Sequence, residues 1–99
     1  MAAYFIAQYV IKDASLYSEY QKGAGPTIAA AGAELIAFDI AAETIEGTPP
    51  GPQTVIIKFE DTAAAKAWYE SEEYQAVVGK RLAATEGFGI ISQSMNVGG

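Results

Sequence analysis

Ala67-Trp68-Tyr69-Glu70-Ser71-Glu72-Glu73-Tyr74-Gln75 is the stretch on which the reading of this chain turns. Ser71 divides two runs of helix-forming residues, and a serine hydroxyl is among the best acceptors for the free N–H groups at a helix start. Glu72 and Glu73 follow it, where the positive end of a helix dipole favours carboxylates. The stretch predicts two helical pieces joined at Ser71, with Trp68, Tyr69 and Tyr74 beside the joint.

Upstream, Asp61 is an N-cap for a helix carrying Ala64, Ala65, Ala67 and Trp68, and Thr54-Val55-Ile56-Ile57-Lys58-Phe59 before it reads as a strand. Downstream, Val77, Val78, Arg81 and Leu82 keep a helical spacing from Tyr74. Gly87 is expected to end that helix, and Phe88 to Met95 to form a strand. Thr48-Pro49-Pro50-Gly51-Pro52 is loop, because proline cannot donate to a ladder. Ahead of it Glu34 to Ile40 reads as a strand, with a bulge at Ala41-Ala42 and a continuation through Glu43-Thr44-Ile45-Glu46. The chain opens with a strand at Tyr4 to Ile11. Asp13 then caps a helix expected to break at Gly23, Gly25 and Pro26, with a second piece opening at Pro26 and closing at Gly32.

The order is strand, helix, strand, strand, helix, strand. That is the α+β, ferredoxin-like βαββαβ arrangement with an antiparallel four-stranded sheet, and 99 residues make it a single domain over 1–99. Helices cover only one face of such a sheet. Yet the alternation leaves both faces apolar: Val55, Ile57 and Phe59 oppose Ile56, and Phe5, Ala7 and Tyr9 oppose Tyr4, Ile6 and Val10. Bare apolar sheet of this extent is rare on monomers, so a homodimer through sheet faces is expected, with two-fold symmetry.

Composition removes many chemistries. There is no Cys and no His, which excludes disulfides, thiolate nucleophiles, histidine-activated serines, and thiolate or imidazole metal and haem sites. No metal site and no cofactor is expected. Twelve acidic against six scattered basic residues give a net charge of −6, which speaks against nucleic acid. No apolar run reaches the ~18 residues of a membrane span, and the N-terminus lacks a basic, then apolar, leader. A cytoplasmic protein is expected.

Tyr4-Phe5-Ile6-Ala7, Tyr17-x-x-Tyr20, Pro26-Thr27-Ile28 with Gly32, Phe59-Glu60-Asp61, Ala65-x-Ala67-Trp68-Tyr69-x-Ser71-x-x-Tyr74-Gln75 and Arg81 together resemble the small bacterial DUF1330 family over about residues 4 to 95. The resemblance implies a dimeric α/β barrel, in a superfamily that includes cofactor-free monooxygenases, muconolactone isomerase-like and chlorite dismutase-like proteins. It implies a pocket between sheet and helices, and no particular reaction. This chain departs from the family at Ala33, Glu34, Phe38 and Asp39, where a second glycine and basic residues are frequent.

Five residues are ligand-binding candidates: Tyr20, Trp68, Ser71, Tyr74 and Arg81. Trp68 packs in the core or walls a pocket, Ser71 is a cap with no histidine to activate it, and Tyr20 and Tyr74 tether helices or donate to a ligand. Arg81, two turns after Tyr74, requires either a carboxylate partner such as Glu60, Asp61, Glu73 or Asp39, or a ligand anion. For catalysis the candidates are Asp39, Tyr20 and Arg81. Asp39 is placed first as a proton acceptor, since a carboxylate within an apolar strand would have a raised pKa if buried. Two functional readings remain open. One is a cofactor-independent enzyme, monooxygenase- or isomerase-like, acting on a small apolar or aromatic substrate. The other is a structural or ligand-holding dimer.

Overall fold

The computed structural model describes residues 1–95. The last four positions of the domain expected from the sequence lie outside the described residues. The elements are β1 (Ala3–Ile11), α1 (Ala14–Ala30), β2 (Glu34–Asp39), β3 (Gln53–Phe59), α2 (Thr62–Glu70), α3 (Glu72–Ala84) and β4 (Thr85–Gln93). All pairings are antiparallel, in the order β2-β3-β1-β4. The fold is the ferredoxin-like βαββαβ split, with its second helix divided at Ser71.

That division arises as the side chains dictate. Ser71 Oγ donates to the Trp68 carbonyl at 2.7 Å and accepts from the Tyr74 N–H at 3.2 Å, so one hydroxyl closes α2 and opens α3. Asp13 and Asp61 start α1 and α2 in the same manner, accepting from Leu16 and Ala64 N–H.

The first helix departs from expectation: it runs unbroken through Pro26. The residue before a proline avoids the α region because its own Cβ crowds the ring, and Gly25 has none. Gly23 serves packing: a Cβ built there would stand 2.5 Å from Val77 Cγ1, so its absence lets α1 lie close on α3. Gly32, at φ +68°, ends the helix as foreseen.

In β2 the bulge falls at Ile36, between the pairs Leu35–Ile57 and Ala37–Ile56, and not at Ala41-Ala42. The strand stops at Asp39 without the expected continuation. Nor does Gly87 end the last helix. The Ala84 carbonyl already accepts from the N–H groups of Lys12 and Asp13, and β4 starts at the next residue. Gly87 lies inside β4, where a Cβ would come within 2.1 Å of the Gln8 carbonyl oxygen. Backbone crowding fixes that glycine.

The helices cover one face of the sheet. Phe5, Ala7 and Tyr9 of β1 and Val55, Ile57 and Phe59 of β3 are buried there against Tyr17, Tyr20, Trp68, Tyr74 and Val78. On the opposite face cross-strand pairing sets Ile90, Ile6, Ile56 and Ala37 in a row across all four strands. Phe88 flanks the row, and Ile90 and Phe88 are 50% and 45% exposed. The molecule is a slab 16 Å thick along its shortest axis, with nothing over that second face among the described residues.

Candidate functional site

Arg81 is the centre of the site. It projects from α3 into the aromatic interior and is 95% buried, at 5% relative exposure. Its guanidinium carbon lies 5.8 Å from the centres of both the Phe5 and Tyr9 rings, which present their electron-rich π systems to it. Among the described residues it has no ion-pair partner. The two ion pairs there are Lys12–Glu86 and Lys80–Glu19, so none of Glu60, Asp61, Glu73 or Asp39 serves Arg81. Its Nε is buried without a hydrogen-bond partner. Arginine has five donors and stays protonated, so an unpaired one in an apolar interior is costly to folding.

Two concavities meet at this side chain. One, of about 560 Å³, opens between α3 and β4 and is lined by Phe5, Tyr9, Leu82, Gly87, Gly89 and Ile91 along with Arg81. Its size is due to β4: Gly87 and Gly89 pair with Tyr9 and Ala7 on the helix-covered side and bring no side chain there. A Cβ at Gly89 would lie 3.0 Å from Phe5 Cζ and 3.7 Å from Arg81 Nη1. The other concavity, about 130 Å³, lies between α1 and β2 beside Tyr9, Tyr17, Tyr20, Leu35 and Phe38.

Around Arg81 the tyrosine hydroxyls are paired with one another. Tyr20 and Tyr74 hydroxyls meet at 2.8 Å, and Tyr9 and Tyr17 hydroxyls at 2.7 Å. Buried Gln53 adds an Nε2 donor to the Tyr17 oxygen at 3.2 Å. Burial pushes the Tyr9 and Tyr20 phenols far above their ordinary range, reinforced by the neighbouring Tyr17 and Tyr74 respectively. The Arg81 charge opposes the rise in both. Burial also raises Tyr74, against the opposing pull of Arg81 and of its bond with Tyr20. These phenols are hydrogen-bond donors at neutral pH and do not take up protons there.

The other candidates lie apart. Trp68 is buried against Phe5, Phe59 and Tyr74, its ring centre 4.0 Å from that of Tyr74, and its Nε1 donates to Thr27 Oγ1 at 3.0 Å. With Ser71 it floors a separate groove of about 720 Å³ between α1 and α2, where Gly23, Pro26, Ala64 and Ala67 contribute little side chain. Ser71 is committed to its two caps. Tyr74 is wholly buried and lines none of these concavities.

Asp39 does not join the cluster, and the buried carboxylate anticipated there is absent. It is exposed on the sheet face away from the helices, paired with Thr54, and its Oδ1 accepts from the Ala41 N–H at 2.9 Å. The extra residue at Ile36 turned it outward. Sequence reasoning passed over Phe5, Tyr9, Tyr17, Gln53 and Gly89. The available signal was alternation: Phe5, Ala7 and Tyr9 share the covered face of β1, and Gly87 and Gly89 recur at the same period in β4.

The domain of unknown function DUF1330 matches residues 2–94. This chain belongs to the DUF1330 family. Among solved structures the DUF1330 chain is similar to RPA0582 from Rhodopseudomonas palustris, a protein of unknown function, at 16% identity and a TM-score of 0.76, covering 96% of this chain and 83% of that one. It is also similar to HapK from Hahella chejuensis at 17% identity and a TM-score of 0.63, over 97% and 95% of the two chains. A Nitrosomonas europaea protein, provisionally named an antibiotic biosynthesis monooxygenase, matches at 13% identity and a TM-score of 0.58, over 99% and 94%. At these identities the likeness is one of fold. No curated protein matches the DUF1330 chain. Among the described residues no helix is long and apolar enough to cross a membrane.

Proposed function

We propose that this DUF1330 chain holds a small, largely apolar molecule through an oxyanion placed at Arg81, in the space between helices and sheet. The observation that supports this reading is the buried Arg81 guanidinium, unpaired by any carboxylate among the described residues and exposed to concavities on two sides. A fold accepts such a cost where a ligand supplies the missing acceptor. The reading is of a binding module. Its phenols are held in the neutral form, and Glu86, the one carboxylate among the described residues that line the α3–β4 concavity, is paired with Lys12.

The second reading is a cofactor-independent enzyme in which Arg81 stabilises the negative charge that develops on an oxygen of the bound molecule. Its support is the convergence of a fixed cation with an apolar cavity, the arrangement that favours charge developing in a transition state. The provisional monooxygenase name of the Nitrosomonas europaea protein is compatible with it.

We further propose that the chain is a homodimer in solution, with the row Ile90, Ile6, Ile56 and Ala37 covered by the same row of a second copy. The support is the length of that apolar row on a slab so thin.

Native mass spectrometry of the protein purified from its host tests the binding reading. A small-molecule adduct is expected on the wild-type protein and is lost on Arg81→Ala, while the mass of the assembly is unchanged. An adduct that persists on Arg81→Ala overturns Arg81 as the anchor.

A further inference from the structure

Resting on the binding reading above, we infer that the ligand is a flat carboxylate monoanion of about one or two rings, seated in the α3–β4 cleft on the Gly87–Gly89 floor with its charge at Arg81. Four observations converge on this class and this side of Arg81.

Size decides between the two concavities. Sites for small molecules run to roughly 300–1,000 Å³. The α3–β4 cleft, at about 560 Å³, is in that range, whereas the α1–β2 cavity, at about 130 Å³, is not. Donor supply decides in the same direction. Beside the smaller cavity the phenols and Gln53 spend their hydrogen bonds on each other, so an incoming anion would have to break a buried pair.

Shape follows from β4. With glycine at positions 87 and 89 the strand offers bare backbone, and Nη1 of Arg81 lies 3.7 Å from where a Gly89 Cβ would be. A planar group laid on that backbone reaches the guanidinium edge without displacing any side chain. Phe5 and Ile91, with Leu82 at the rim, supply apolar contact for its faces.

Charge follows from the ionised groups of the cleft. Among the described residues that line it, Arg81 is the one Lys or Arg and Glu86 the one carboxylate, exposed and paired with Lys12, and the chain carries a net charge of −6. A single guanidinium matches a single carboxylate in bidentate fashion, and a dianion would carry its second charge unpaired into an acidic protein.

Titration calorimetry with benzoate, naphthoate and phenyl phosphate as probes tests the assignment. Both carboxylates are expected to bind the wild-type protein, with phenyl phosphate weaker by about tenfold or more. Leu82 is 60% exposed on α3, so Leu82→Glu leaves the fold intact and sets a negative charge at the mouth of the cleft. It should weaken the carboxylates by about tenfold, and the matched variant Leu35→Glu, beside the smaller cavity, by less than about twofold. Gly89→Ala, which narrows the floor against Phe5, should weaken naphthoate more than benzoate.

The reverse pattern, Leu35→Glu damaging and Leu82→Glu silent, overturns the α3–β4 placement while Arg81 remains the anchor. Equal or tighter binding of phenyl phosphate overturns the monoanion class, as does failure of both carboxylates to bind. Carboxylate binding that survives Arg81→Ala sinks the anchor itself, and with it the reading on which this one rests.

Discussion

The hydroxyls of Tyr20 and Tyr74 meet at 2.8 Å, joining α1 to α3 through residues 54 positions apart. Neither oxygen has another protein partner among the described residues, so each hydroxyl depends on the other for its buried hydrogen bond. Tyr74→Phe alone should cost about 1–3 kcal/mol, because it strands the Tyr20 hydroxyl. The double variant Tyr20→Phe/Tyr74→Phe should recover part of that loss. Urea denaturation of the four species gives the coupling directly, and strictly additive losses would show the pair to be independent.

Arg81 sets stability against binding. Arg81→Met replaces a buried charge with an apolar chain of similar length, so unfolding should become harder by about 1–4 kcal/mol while anion affinity disappears. A higher urea midpoint with an unchanged slope is the expected record. A drop in midpoint would mean that the guanidinium is paired in solution.

Gly23 is where α1 and α3 come closest. Gly23→Ala gains helix propensity worth about 1 kcal/mol but forces a methyl against Val77 Cγ1, a clash costing about 1–3 kcal/mol. The net effect should be destabilising in the wild-type background and stabilising with Val77→Ala. Thermal melts of the single and double variants decide it.

Alkaline pH acts through the buried phenols. Tyr9, Tyr20 and Tyr74 have folded-state values raised above the ordinary ~10. Below that value both folded and unfolded chains keep these protons, and stability does not depend on them. Above it the unfolded chain releases protons that the folded chain retains, so stability falls steadily as pH rises. Tyrosinate absorbance from these residues should therefore appear together with the loss of helical circular dichroism, and not before it.

A charge in the apolar row tests the assembly. Ile6 lies between Ile56 and Ile90 on the uncovered face, so Ile6→Lys should leave the fold intact and shift sedimentation from dimer to monomer. Unaltered sedimentation at monomer mass for both forms would remove the dimer reading.

The parts of this fold that local chemistry dictates were legible in the sequence. Asp13, Asp61 and Ser71 announced three helix starts, and β-branched and aromatic runs announced β1 and β3. What escaped depended on neighbours distant in the chain. The close seat of α1 on α3 rests on Gly23 lying against Val77, and the extended course of the chain from Thr85 rests on Lys12 and Asp13 drawing the Ala84 carbonyl. Strict alternation after Leu35 would have turned Asp39 towards the helices; one bulged residue at Ile36 reversed it. The sequence shows that Arg81 needs a partner, but only the folded chain reveals that no carboxylate among the described residues reaches it.

The strand order also grades how readily different parts of the molecule open. β1 and β3 have hydrogen-bonded neighbours on both sides, while β2 and β4 are each held along one edge, and β4 carries glycine where a packed side chain would lock it down. Amide protons of β1 and β3 should outlast those of β4 in deuterated solvent. The strand that floors the α3–β4 cleft would then be among the first to breathe, and a bound anion would be read most clearly in the slowing of its exchange.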